Sequence, residues 1–112
     1  MSSLQSYLPQ SKFLKDKWKT LREQLNCGIQ FYDDAAYLGE ISDMGLRDGI
    51  GILIYKTSRV YEGEWFEDKR QGRGFELYQN GNIYMGEFNR GKAEGKGKYI
   101  WTNGETYEGE WY

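Results

Sequence analysis

The sequence predicts a mainly β protein, an elongated single-layer antiparallel β-hairpin meander with one N-terminal α-helix. Three observations lead there. A Tyr-x-Gly-Glu motif recurs four times, beginning at Tyr37, Tyr61, Tyr84 and Tyr107, at near-equal spacing with the first interval longer by a single position. A Gly-x-Gly motif keeps the same beat at 49–51, 72–74 and 95–97. The chain holds 15 Gly and 10 Tyr but 1 Pro, a composition of short strands and turns rather than of a helical bundle. Internal repeats with periods of roughly 20–50 residues mark architectures in which each unit buries its apolar surface against its neighbours.

Residues 1–10 read as a flexible tail. Residues 11–26, "SKFLKDKWKTLREQLN", place Leu14, Trp18, Leu21 and Leu25 at spacings of 4, 3 and 4, one apolar stripe on a helix that Phe13 widens. Ser11 supplies an N-cap, and Asn26 with Gly28 a stop. Such a helix has three readings. It covers the open first edge of the sheet, docks its stripe on a partner, or lies in a membrane interface. Asp16 and Glu23 dilute its basic face and count against the last.

The repeat sheet is expected over 27–112. It begins with a half repeat at 28–36, one residue shorter than its counterparts, and continues with repeats starting at Tyr37, Tyr61, Tyr84 and Tyr107. The first full repeat carries one extra residue before Gly49. Residues 61–83 show the unit plainly. "YEGEWF" alternates, with Tyr61, Gly63 and Trp65 on one face, and "EDKRQ" is a polar turn. "GRGFELY" returns with Phe75 and Leu77 sharing a face, and "QNGN" turns into the next strand, Asn-Gly being the strongest short hairpin signal. Asn-Gly falls again at 103–104, and Thr57-Ser58 takes its place in the first full repeat. A glycine inside a strand weakens it unless something needs the space, and aromatic rings laid across the glycine backbone would use it.

The stretch "GEFNRGKA" at 86–93 falls one residue short of a phosphate-binding loop, with Ala93 where Ser or Thr would hold magnesium. The repeat accounts for it instead as the end of one motif, a turn, and the approach to the next Gly-x-Gly. No buried strand precedes it and no helix follows.

Composition narrows the chemistry. Histidine is absent and Cys27 is the only cysteine, which excludes an internal disulfide, the usual zinc sites and any His-dependent catalytic triad. The motif glutamates Glu40, Glu64, Glu87 and Glu110 form a regular ladder, whereas catalytic carboxylates come as a differentiated pair. No catalytic residue, cofactor or metal site is expected. Charge is split: residues 1–26 carry five basic and two acidic groups, and residues 27–112 carry ten and fifteen. That acidic body opposes nucleic-acid binding. No apolar stretch approaches the roughly 18 residues of a membrane span, and no secretory leader is expected. A cytoplasmic, reducing location is expected. The basic, serine-containing N-terminus is also compatible with a mitochondrial presequence, although Asp16 and Glu23 argue otherwise.

The stretch "YEGEWFEDKRQGRGFELYQNGNIY" resembles a MORN repeat (membrane occupation and recognition nexus), and the likeness extends over residues 37–112. It implies a non-enzymatic scaffold or assembly subunit, as in ciliary, axonemal and other cytoskeletal complexes. Two alternatives come with it: a phosphoinositide or anionic-membrane module, as in junctophilins and plant lipid kinases, and a regulatory segment of a larger enzyme. On the first reading the partners are proteins of a multi-subunit assembly, received as a helix or extended peptide. The contacts expected are Leu14, Trp18, Leu21 and Leu25 of the helix and Trp65, Phe88 and Trp111 of the sheet. On the membrane reading, Lys69, Arg70, Arg90 and Lys92 form a basic rim at the hairpin tips. The final "YEGEWY" reads as a strand without its return, an edge to be covered by further chain or by a partner.

Overall fold

In the computed structural model, Glu23 and residues 27–112 are described. The tail at 1–10 and, apart from Glu23, the helix expected at 11–26, with Leu14, Trp18, Leu21 and Leu25, lie outside the described residues. Among the described residues there is no helix.

Eight strands make one sheet: β1 (Cys27–Phe31), β2 (Ala35–Ile41), β3 (Arg47–Tyr55), β4 (Val60–Phe66), β5 (Lys69–Leu77), β6 (Ile83–Asn89), β7 (Lys92–Ile100) and β8 (Thr106–Trp111). Each pairs antiparallel with the next, so spatial order equals chain order and the sheet is an open meander. The molecule measures 37 × 27 × 24 Å, so the expected elongation is modest.

The turns follow from their residues. Glu67 and Asp68 join β4 to β5 with φ of 46° and 72°, and Arg90 and Gly91 join β6 to β7 with φ of 50° and 86°. Positive φ at both central residues is the tight hairpin turn whose twist matches the strands. The Gly-Lys of "GEFNRGKA" is therefore a hairpin turn and the first residue of β7. At the opposite ends, Gly81 and Gly104 take φ of 94° and 91°, and Gly81 N–H donates to the Tyr78 carbonyl (2.9 Å). Ser58 holds the same left-handed place at φ 75° without being glycine.

The register carries one irregularity, repeated three times. Gly63 pairs with Gly74 and Trp65 with Arg70, so Glu64 alone faces Gln71, Gly72 and Arg73. Glu40 and Glu87 sit in the same way opposite Asp48–Ile50 and Glu94–Lys96. Such a bulge leaves backbone groups without ladder partners. The glutamate supplies one: Glu64 accepts the Arg73 N–H, Glu40 the Ile50 N–H and Glu87 the Lys96 N–H. The ladder of carboxylates is structural.

The two faces of the sheet differ. On one, Ala36, Leu38, Ile52, Ile54 and Val60 form an aliphatic cluster joined by Cys27 and Leu77. On the other, Tyr37, Leu53, Tyr61, Trp65, Tyr84 and Phe88 form an aromatic one.

Candidate functional site

The aromatic face is built by a rule that each repeat restates. Tyr61 lies along its own strand, and its hydroxyl donates to the Glu64 carbonyl further along it (2.8 Å). Tyr37 donates likewise to Glu40 (2.8 Å), Tyr84 to Glu87 (2.9 Å) and Tyr107 to Glu110 (3.3 Å). The ring so placed occupies the space above Gly74, where a Cβ would sit 2.6 Å from the Tyr61 ring. Gly72, the first glycine of the same motif, has φ 87°, and a Cβ there would strike the Glu64 carboxylate. The two glycines of Gly-x-Gly thus clear room for the two side chains of Tyr-x-Gly-Glu.

The remaining aromatics fill the gaps between tyrosines. Trp65 packs edge-on against Tyr37 (5.5 Å) and Tyr61 (5.0 Å), and Phe88 against Tyr61 (5.1 Å) and Tyr84 (5.2 Å). Trp111 does the same with Tyr84 (5.4 Å) and Tyr107 (5.3 Å). This is a continuous edge-to-face ladder from β2 to β8, each contact adding about 0.5–1.5 kcal/mol beyond area burial. Burial pushes the phenols of Tyr37, Tyr61 and Tyr84 above their ordinary value, and that of Tyr78, beside Glu76, up to about 12.

Guanidinium groups lie on this ladder. Arg47 stands 4.4 Å over the Trp65 ring and pairs with Asp68 (2.7 Å), holding that carboxyl below the usual range. Arg70 lies over Tyr61 (5.6 Å) and Phe88 (5.4 Å) and pairs with Glu76, a buried carboxylate that Arg59 also reaches (2.7 Å). Arg47, Arg70 and Ala93 hold equivalent places in successive repeats. At the third of these the arginine is missing, and Tyr99 stands one period after Glu76.

The structure distributes the expected contact residues unevenly. Trp65 and Phe88 are buried in the ladder, and Trp111 is half-buried. Of the expected basic rim, Lys69, Arg90 and Lys92 are exposed at the hairpin tips. Arg70 is turned inward onto Tyr61 and Phe88, and its Nη2 donates to the Gly91 carbonyl (2.5 Å). The reason is the bulge, which sets Arg70 opposite Trp65 on the aromatic face.

A row of aromatics went unread in the sequence. Tyr32, Tyr55, Tyr78 and Trp101 also recur once per repeat, each opening the turn after a return strand. Tyr55 and Tyr78 pack beside the ladder half-buried, with Arg59 between their rings at 5.4 and 5.7 Å. Tyr32 and Trp101 are each 38% exposed. Tyr99 continues the row by stacking on Tyr78 (5.8 Å) and meeting Trp101 (4.7 Å). The signal was the same period that exposed the Tyr-x-Gly-Glu motif.

Among the described residues no group of His, Cys, Asp and Glu could hold a metal ion. No curated protein matches the chain. The family model described as MORN repeat matches residues 61–83 and 84–106, two consecutive hairpins of this sheet. Residues 37–60 share their geometry, with the same tyrosine hydroxyl bond, paired glycines and glutamate-filled bulge. Repeats of this kind commonly bind proteins or membranes, and residues 61–106 of this chain are two MORN repeats.

Proposed function

We propose that this chain is a non-enzymatic scaffold subunit that holds a protein partner, as a helix or extended peptide, on the aromatic face of its sheet. The observation that carries this reading is the row Tyr32, Tyr55, Tyr78 and Trp101. These rings are left half-buried or exposed beside a ladder whose members from Tyr37 to Phe88 are buried. Partly exposed aromatics on a rigid base lose little entropy on binding, which is why Tyr and Trp dominate interface hot spots. A cytoskeletal or ciliary assembly is the setting we favour, on the family's known roles. The stripe of Leu14, Trp18, Leu21 and Leu25 is not needed for this reading.

The exposed Lys69, Arg90 and Lys92 favour a second reading, anionic-membrane binding at the hairpin tips. The excess of acidic groups over 27–112 opposes it at long range. One experiment separates the two. The wild type, Tyr78→Ala/Trp101→Ala and Lys69→Glu/Arg90→Glu/Lys92→Glu are each offered a detergent-extracted cytoskeletal fraction and phosphoinositide-containing vesicles. On the scaffold reading the wild type sediments with the cytoskeletal fraction, and the aromatic pair reduces retention at least tenfold while the triple glutamate leaves it intact. Flotation with vesicles that only the triple glutamate abolishes would transfer the protein to the membrane reading.

A further inference from the structure

We infer that the cavity between Tyr32 and Tyr55 is an anchor pocket for one aromatic side chain of a partner peptide, presented next to a basic residue. The inference rests on the scaffold reading of the aromatic face and deepens it. One residue separates each ring of the outer row from the next. Ala35 stands between Tyr32 and Tyr55, Arg59 between Tyr55 and Tyr78, and Asn82 beyond Tyr78. Rings on alternate strands stand about 9.6 Å apart, twice the strand spacing, which leaves a slot for one flat group. The chain fills two of these slots itself. Arg59 lies between Tyr55 and Tyr78, at 5.4 and 5.7 Å from their rings. Tyr99 stacks on Tyr78 (5.8 Å), meets Trp101 (4.7 Å) and accepts a hydrogen bond from Asn82 Nδ2 (3.1 Å). In the first slot Ala35 is too short to enter, and Leu53 packs into the ladder. A cavity of about 250 Å³ remains there, lined by Tyr32, Asp34, Ala35, Arg47, Leu53 and Tyr55. That is below the roughly 300–1,000 Å³ of a small-molecule site and suits a single side chain.

The walls are fixed before anything binds. The Tyr32 hydroxyl donates to Gln30 Oε1 (2.7 Å), and Tyr55 is braced on its far side by Arg59. The turns that carry the two rings are tied by the Lys56 N–H, which donates to the Asp34 carbonyl (2.9 Å). The floor is reached only between the rings, since Ala35 and Leu53 are 2% and 3% exposed. Its chemistry selects the occupant. In the second slot a guanidinium is held by the Glu76 carboxylate, and Leu53 stands one period before Glu76. A cation entering the first slot would meet leucine there and the Arg47 guanidinium beside it. A carboxylate gains little, because Arg47 is already paired with Asp68 (2.7 Å). An uncharged ring suits the apolar floor, the flanking phenols and the guanidinium together. Asp34 lines the cavity and Asp33 is exposed beside it, and residues 27–112 carry fifteen acidic against ten basic groups. That field draws a Lys or Arg next to the anchoring ring.

The test is methyl NMR on the full chain, titrated with the synthetic probe N-acetyl-Lys-Trp-Lys-amide. The methyl resonances of Ala35 and Leu53 are expected to shift, while that of Ile52, on the opposite face, stays in place and reports an intact sheet. Replacing Trp in the probe by Ala should abolish the shifts, and replacing both Lys by Glu should weaken binding. Ala35→Arg, which plugs the slot as Arg59 plugs the next, and Tyr32→Ala, which removes a wall, should each weaken the probe about tenfold, the worth of one or two ring contacts. Tyr32→Ala leaves the buried floor unaltered and so serves if Ala35→Arg does not fold. Unmoved Ala35 and Leu53 methyls, equal shifts from the alanine probe, or full binding by both folded variants would overturn the pocket. So would shifts in the probe-free protein that track a dimer by light scattering, since a second copy would then be the occupant. The cytoskeletal retention assay keeps the two readings apart. Retention lost in Tyr78→Ala/Trp101→Ala but unchanged in Tyr32→Ala overturns the pocket and leaves the scaffold standing. Probe binding without any retention of the wild type overturns the scaffold and leaves the pocket.

Discussion

At the level of single residues, the repeat is a set of substitutions that obey backbone geometry, and its exceptions are testable. Gly81 and Gly104 sit in the left-handed region, and Ser58 occupies the equivalent place at φ 75°. A non-glycine residue there costs roughly 1–2 kcal/mol, set against about 0.5–1 kcal/mol of extra chain entropy lost by glycine on folding. Ser58→Gly is therefore expected to stabilise the protein by about 0.5–1 kcal/mol, read as a rise of a few degrees in Tm. An unchanged or lower Tm would mean that this turn relaxes without strain. The asymmetry among Arg47, Arg70 and Ala93 belongs to the same scale. Two repeats carry a guanidinium over their rings, and the third has the small Ala93, with Tyr99 one period after Glu76.

Each hairpin is held by a bulge as much as by its ladder. Glu64 faces Gln71, Gly72 and Arg73 of β5, and its carboxylate accepts the Arg73 N–H that would otherwise lack a strand partner. Its role resembles an N-cap transplanted to a sheet, where a side-chain oxygen replaces a missing carbonyl. Truncation to Glu64→Ala removes that acceptor but leaves Gly72 at its positive φ. We expect a loss of about 1 kcal/mol in chemical denaturation, with Glu108→Ala, on the exposed surface of β8, near zero. Equal effects from the two would refute a structural role for the motif glutamate. The tight turn at Arg90–Gly91 also explains why glycine stands at position 91 of "GEFNRGKA".

The whole molecule joins these hairpins through nearest-neighbour contacts, so its stability is spread along the aromatic ladder rather than gathered in one core. One consequence concerns pH. The phenols of Tyr37, Tyr61, Tyr78 and Tyr84 are raised by burial above their ordinary value of 10.0, that of Tyr78 to about 12. As pH rises past about 10, the unfolded chain releases these protons first. Stability from the neutral buried phenols is thus fully present below that pH and is lost above it. Tm should hold between about pH 7 and 9 and fall steeply beyond about 10, where the β-sheet circular dichroism is lost on milder heating. A Tm unchanged between about pH 9 and 11 would contradict it.

Much of this molecule is legible in its sequence. The regular beat, the Tyr-x-Gly-Glu and Gly-x-Gly motifs and the Asn-Gly turns imply a meander of hairpins, with glycines lying under tyrosines. Local pattern suffices because every strand pairs with its immediate chain neighbour, so no long-range choice of partner has to be made. What only the tertiary structure decided is which aromatics are consumed by packing and which are left over. Trp65 and Phe88 vanish between tyrosines, while Tyr32 and Trp101 remain in part exposed. It also turned Arg70 away from the rim. Alternation along a strand assigns a side chain to a face. Burial on that face is set by rings arriving from the adjacent repeats, and a bulge resets the pairing between them.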